Sequence, residues 1–317
     1  LGRRLQELAG FTRAITKPDG LVPQIGDNDS GRVLKPLPDT ETSDLDHRGF
    51  VAAVDALLGA PSVAPCVEVG LVRSLAGGAT LAGAGASTLA PGAFEDFGIY
   101  ILQGAGWHVS FRCGGGGWRT GGNHTHNDQL SFELTVDGQP IIVDTGTFAY
   151  TSWPDRRNRF RGTAMHNTLQ LDELEQNPWL PGREGLFRLE NRARGQLLHA
   201  EGRTLEGMHH GFGHPHLRRL TLMQDALIGV DRCDAPGLRH IFFHLDPAVT
   251  VRQHGGHVEL SCGPVMLRLG LEPSCNGDGE WAVETGEVSR RYGQATPAAL
   301  VAWRGSARSV SWSIRRM

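Results

Sequence analysis

Two histidines, His124 and His126, share six positions with Asn123, Asn127 and Asp128 in the stretch NHTHND, and an alternating strand follows at once. Histidine titrates near neutral pH, so a ring here suits proton transfer when charged or free, and metal ligation when neutral. A second polar knot, His166 and Asn167, feeds another alternating run, NTLQLD. Between the two knots lies Asp144. His126, Asp144 and His166 make a sensible N,N,O set for zinc, with a fourth position left for water. Their spacings match no short zinc motif, and the same residues could instead cap loops and bind one another at a rim.

A hairpin must position them. In LSFELTVDGQPIIVD (130–144), Leu130, Phe132, Leu134 and Val136 alternate with Ser131, Glu133 and Thr135. Asp137-Gly138 supplies a two-residue turn that needs positive φ. The simplest register pairs Val136 with Gln139, Phe132 with Val143, and Ser131 with Asp144, which puts Asp144 on the polar face near the knot. For His126 to reach it, NHTHND must fold back across the strand end.

Around the hairpin the chain reads as mainly β. FGIYILQ, WHVSFRC, LSFELTV, IIVDT, NTLQLD, HLRRLTLM, ALIGVDRCD, RHIFFHLD, VTVRQ, HVELSC, VMLRLG, ALVAWRG and SVSWSI are short runs parted by turns. Most are half polar, which predicts stacked antiparallel sheets and excludes a buried parallel sheet. Two helices precede them. Residues 1–16 carry Leu5, Leu8 and Phe11 on one side, and 48–60 keep Val51, Val54, Leu57 and Leu58 on a 3.6 period with Gly59 as the stop. The Gly/Ala-rich segment 61–92 reads as a linker, with a domain boundary near residue 90. The opening LGRRLQELAGFTRAI reads as the middle of a helix, as in the C-terminal part of something longer.

Composition narrows the partners. A net charge of −3 with 21% charged residues offers no basic stripe for nucleic acid, and no apolar run is long enough for a membrane span. The five cysteines, Cys66, Cys113, Cys233, Cys262 and Cys275, are scattered without CxxC and read as small buried hydrophobes. GDNDSGR (26–32) begins like a calcium loop but lacks the downstream glutamate, so it reads as an Asx-type turn lining the cleft. CGGGGWRTGG (113–122) lacks the Lys-Ser/Thr and helix of a P-loop and reads as a flexible loop. HHGFGHPH (209–216) reads as an exposed turn. No nucleophile elbow is present.

GGNHTHNDQLSFELTVDGQPIIVDTGTFAY followed by RRNRFRGTAMHNTLQLDELEQ resembles the signature of the heparinase II/III-like polysaccharide lyases, in order and in spacing. PQIGDNDSGR resembles the segment that closes the family's helical domain, and RHIFFHLDP a later sandwich strand. The resemblance implies an (α/α) toroid joined to a super-sandwich of antiparallel sheets. Residues 1–90 would then be the toroid's last piece with a linker, and 91–317 the sandwich. It implies His124 as the catalytic histidine, and His126, Asp144 and His166 as ligands of zinc or another divalent metal that braces the site. Asn123, Arg161, Asn167, Gln176 and Trp118 would be sugar contacts.

The implied reaction is β-elimination at a uronic acid in an acidic polysaccharide such as a glycosaminoglycan or alginate, in the periplasm or outside the cell. The family's catalytic tyrosine sits in the toroid. This chain offers Tyr100, Tyr150 and Tyr292, of which Tyr150 is nearest in sequence to the site and also fits an aromatic packed at a sheet edge. The expectation is therefore a lyase in a longer form and little activity in this chain alone. The alternative is a catalytically incomplete, metal-stabilised β-sandwich that binds polysaccharide or assists its assembly. A zinc hydrolase using the open metal position is a third reading.

Overall fold

A computed structural model of the chain describes residues 1–29, 43–59, 71, 74–75, 92–115, 121–273 and 278–317. The expected boundary near residue 90, Trp118, Cys66, Cys275 and the end of GDNDSGR lie outside these residues. Helices α1 (Gly2–Ile15) and α2 (Arg48–Leu57) pack together, with Arg13 holding both oxygens of Asp55 at 2.9 and 2.7 Å. The expected apolar stripe of α1 is corrected in part. Leu5 packs on Ala9, Val54 and Leu58, but Leu8 is exposed, and small residues including Gly10 and Ala14 are buried instead. Small side chains let two helices approach closely. Gly59, at φ 69°, follows the last turn of α2 as expected.

In chain order the first five strands are β1 (Ala93–Phe94), β2 (Ile99–Gly104), β3 (Trp107–Arg112), β4 (Phe132–Val136) and β5 (Gln139–Ile142), and they form one sheet in that order. Next come β6 (Leu169–Leu171), β7 (Gln196–Glu201), β8 (Thr204–His209), β9 (His216–Leu222), β10 (Ala226–Cys233) and β11 (Arg239–His244). The last six are β12 (Thr250–His254), β13 (His257–Cys262), β14 (Val265–Leu271), β15 (Glu280–Arg291), β16 (Gln294–Gly305) and β17 (Ser309–Arg316). An eight-stranded sheet has the order β12-β13-β14-β17-β10-β9-β8-β7, and a four-stranded sheet the order β15-β16-β11-β6. The ladders are antiparallel, so the chain has the stacked-sheet architecture its half-polar runs predict.

One apolar cluster joins all three sheets. Phe132 stacks on Trp312 at 5.6 Å, and Phe243 meets Trp312 edge-on at 5.0 Å. Each such side chain contributes roughly 1.5–3 kcal/mol by leaving water. Every run read as a strand contains one, while β1, β7, β8 and β15 escaped the reading. β7 is an exposed edge, and β8 buries Leu205, Gly207 and His209, two of which give no apolar signal.

The hairpin turn forms as expected, with Asp137 at φ 48° and Gly138 at φ 76°, and Val136 pairs with Gln139. Beyond it the expected register is corrected: a bulge sets Leu134 opposite Ile142, one residue out of step. Pro140 has no N–H to give the ladder, and with the extra residue both Ile141 and Ile142 are buried. The Asn167 amide then replaces the ladder, donating to the carbonyls of Phe132 and Val143 at 2.9 Å each. Asp144 still arrives at the strand end, by a different route.

The polar face of β3 and β4 is not solvated. The chain after α1 covers it, with Lys17 Nζ 2.7 Å from Glu133 and the Gln24 N–H on the same carboxylate. Burial first, and then the Lys17 charge, push the pKa of His108 down to about 4. The unfolded chain binds a proton there near pH 6.5 that the fold refuses, so this stability is complete above that value and lost as pH falls toward 4. The loss should reach on the order of 3 kcal/mol. Urea denaturation across the window checks it: His108→Leu should flatten the slope, and an unchanged slope would refute the assignment.

Candidate active site and metal centre

The knot is built around a backbone reversal. His124 adopts φ 61°, donates its N–H to Phe187 O at 3.0 Å and accepts from Asp27 N at 3.0 Å. Gly26 lies so close that an added Cβ would stand 2.4 Å from His124 O, so glycine is required there. The two histidines consequently part. His124 keeps 58% of its side chain exposed, while His126 keeps none.

Both reach the same carboxylate. Asp27 Oδ2 lies 2.8 Å from His124 Nδ1, and Oδ1 lies 2.8 Å from His126 Nε2. Arg157, on the short helix α3 (Pro154–Phe160), closes the carboxylate with both terminal nitrogens, one at 2.5 Å. Its Nε donates to Leu186 O, and its guanidinium lies over the rings of Tyr150 and Phe187 at 5.0 and 4.8 Å. Burial pushes the Asp27 carboxyl up, but the His126 hydrogen bond and charge, then Arg157, outweigh it and hold the group well below the usual carboxylate range.

His166 stands behind His126, ring centroids 5.3 Å apart, and its Nδ1 lies 2.6 Å from Asp144 Oδ2. Burial lowers the His166 pKa, yet the Asp144 charge and hydrogen bond win and the net shift is upward. For His126 burial prevails over Asp27, and the shift is downward. With Nε2–H of His126 assigned to Asp27 and Nδ1–H of His166 to Asp144, the other ring nitrogens, His126 Nδ1 and His166 Nε2, are buried without a protein partner. Two bare imidazole nitrogens, each backed by a carboxylate on the far side of the ring, fit metal ligands with their outer partners. The N,N,O trio is drawn together but not closed. Among the described residues, the group of three with donor atoms all within 4.8 Å of one another is His254, His257 and Glu259.

The remaining expected residues divide. Asn123 is exposed at the rim. Arg161, Asn167 and Gln176 are buried. Arg161 bonds Asn158 and Gly185 and lies over Trp179, Gln176 pairs with the backbone of Gln129, and Asn167 joins Ser131, Phe132, Val143 and His244. In this arrangement they brace the two knots. Tyr150 comes to the site, its ring 6.2 Å from that of His124. HHGFGHPH corrects the expected exposed turn at both ends. His209 and His216 are buried and hydrogen-bonded at 3.0 Å, with His216 on Asp231, and Phe212 between them is buried too, which leaves His210, Gly213 and His214 exposed. Cys113, Cys233 and Cys262 are buried free thiols.

Asp27 and Arg157 were not singled out from the sequence, although GDNDSGR had been read as cleft-lining. The tight Gly-Asp turn is the one local signal for Asp27. Arg157 gave none within an arginine-rich run.

The same fold recurs in solved lyases. The heparan sulfate lyase of Pedobacter heparinus superposes with a TM-score of 0.63 at 16% identity, over 96% of this chain and 45% of that one. A heparinase III crystal structure gives 0.65 at 15% identity, over 99% and 48%. The chain thus spans less than half the length of these proteins. No curated protein sequence matches it. The heparinase II/III-like C-terminal family model matches residues 86–313, which takes in all three sheets and every residue of the site except Asp27; the chain belongs to the heparinase II/III-like family.

Proposed function

We propose that this chain forms the sandwich side of a polysaccharide lyase site that cleaves uronate-bearing polymers by β-elimination. The observation that carries the reading is the pairing of one exposed histidine, His124, with two buried histidines whose unpartnered nitrogens suit a metal, both sets organised by Asp27. Residues 1–90 would close a helical toroid and 91–317 form the sandwich. An acidic polymer such as a glycosaminoglycan or alginate places the reaction in the periplasm or outside the cell.

His126 Nδ1 and His166 Nε2 would hold the metal, zinc by donor chemistry, and Asp144 would join them as a ligand only by leaving His166 Nδ1, which its carboxylate holds at 2.6 Å. When bound, it would supply positive charge that braces the knot. Asp27 fixes the tautomer of His124 by accepting from Nδ1–H, which leaves Nε2 free on the open side to take the C5 proton of the uronate. Electrons from that C–H bond form the C4–C5 double bond as the C4–O4 bond breaks, and an acid protonates O4. Tyr150 is the nearest tyrosine to serve as that acid, its ring 6.2 Å from that of His124; burial, then the charges of Asp27 and Asp29, raise its pKa, which keeps the hydroxyl protonated but makes it a weaker donor. The family expectation of a tyrosine in the toroid is the competing assignment, and Tyr150→Phe separates the two.

The test is formation of unsaturated uronate, followed by ultraviolet absorbance, on a panel of uronate and neutral polymers before and after chelation. Product from uronate polymers alone, falling with metal content, is expected. Polymer binding without product in any form of the protein would favour the binding module. Product unaffected by complete metal removal would end the metal part of the proposal.

A further inference from the structure

Far from NHTHND in sequence, the outermost hairpin of the eight-stranded sheet carries a second histidine pair. β12 and β13 are joined by His254-Gly255-Gly256-His257, and His254 pairs directly with His257 across the turn. Directly paired residues share a face, as do residues two apart on a strand, so His254, His257 and Glu259 all project from the same side. The two rings lie nearly parallel, 4.9 Å apart and inclined by 13°. Both Nε2 atoms approach the Glu259 carboxylate, His254 at 3.1 Å from one oxygen and His257 at 3.9 Å from the other. One donor atom from each residue falls within 4.8 Å of both others.

We propose that this hairpin is a metal site in its own right, taking a divalent ion of zinc-like softness through His254, His257 and Glu259. Two imidazoles and a carboxylate suit such an ion, and the partly exposed setting leaves further positions to water. Gly255 and Gly256 have nothing within 4 Å of an added Cβ, so the turn has open space around it in which to tighten. The ion would pin the hairpin on the sheet's unpaired edge, where a strand otherwise offers its backbone to other chains. It is independent of the knot, with which it shares no residue.

One neighbour opposes the ion and so sharpens the test. Arg268, across from Glu259 in the β13–β14 register, lies 3.4 Å from His257 Nδ1. Its donation to Nδ1 favours the tautomer with hydrogen on Nε2, the wrong one for ligation, and its charge repels a cation. Arg268 is exposed, so it can be displaced, but its contact with Nδ1 has to be given up before the ion binds.

Zinc titration of the whole chain, with bound metal counted per chain by elemental analysis, decides the matter. The double variant His254→Gln/His257→Gln should bind one equivalent fewer than the parent, and Glu259→Gln should weaken that equivalent more than tenfold. Arg268→Ala should tighten it several-fold, which a loose surface patch would not do. Cobalt in place of zinc should give a visible spectrum whose hairpin component disappears in the double variant. Equal stoichiometry in parent and double variant, or an affinity indifferent to Arg268→Ala, overturns the proposal. Circular dichroism of each variant guards against loss of fold, and Glu259→Gln supplies an independent reading if a histidine variant unfolds.

Discussion

Asp27→Ala is expected to lower the stability of the chain by about 3–5 kcal/mol, the usual consequence of stripping the partner from a buried charge. Neither Asp27 nor Arg157 exposes any of its side chain. The Arg157 guanidinium would remain buried against Tyr150 and Phe187 with its counter-charge gone. Asp27→Asn should cost less, because the amide keeps the shape and part of the hydrogen bonding. Adding Arg157→Met to Asp27→Ala should recover part of the loss, so the double variant falls short of the sum of the singles. Urea midpoints measure all four. The pH dependence carries a sign as well. The folded pKa of Asp27 lies below its unfolded value, so its contribution is complete above the unfolded carboxylate range and is lost progressively as pH falls from there through the lower folded value. Metal affinity should also drop, by about 10–100-fold, because the carboxylate behind His126 sets the ring's tautomer. A change within about 1 kcal/mol, the range of an ordinary surface pair, would mean that Asp27 does not hold the site together.

How much of this could be read from the chain follows from the range of each interaction. The Asp137-Gly138 turn and the alternating strands report contacts between near neighbours, and periodicity reveals them directly. Pro140 stood in plain view, yet its effect, a one-residue slip in the ladder, depends on a compensating amide from Asn167, which no local pattern announces. Asp27 lies 97 residues from His124 and 130 from Arg157, so nothing in the spacing of any single segment joins them. Helix α3 escaped for a related reason. It buries Arg157 and Phe160, and a buried arginine looks like a solvated one until its carboxylate is located. The same holds for His209 and His216, which read as a polar turn because the carboxylate that buries them, Asp231, comes from another strand, where it also holds Arg218. Local chemistry was legible, and the charges that organise it were not.

His124→Ala should lower the elimination rate by about 10²–10⁴-fold, the usual worth of a positioned base, while leaving bound metal and stability near the parent's. The contrast with His126→Ala carries the argument, because the two rings are neighbours in sequence and share one carboxylate. His124 is largely exposed and its hydrogen bonding is spent on orientation, so truncation opens solvent and not a cavity. His126 is sealed between Asp27 and His166, so its loss should remove the metal and destabilise the fold together. If His124 acts on the C5 proton, the fall should appear in kcat, with KM little changed, since that interaction strengthens only as the proton moves. A residue that merely binds sugar would raise KM and spare kcat. His124→Gln completes the test. Its amide can still reach Asp27 and hold the loop but cannot accept a proton, so it should be as inactive as alanine and fold at least as well. Retained turnover in His124→Gln would transfer the base to another group, and equal metal loss in the His124 and His126 variants would erase the distinction between the two rings.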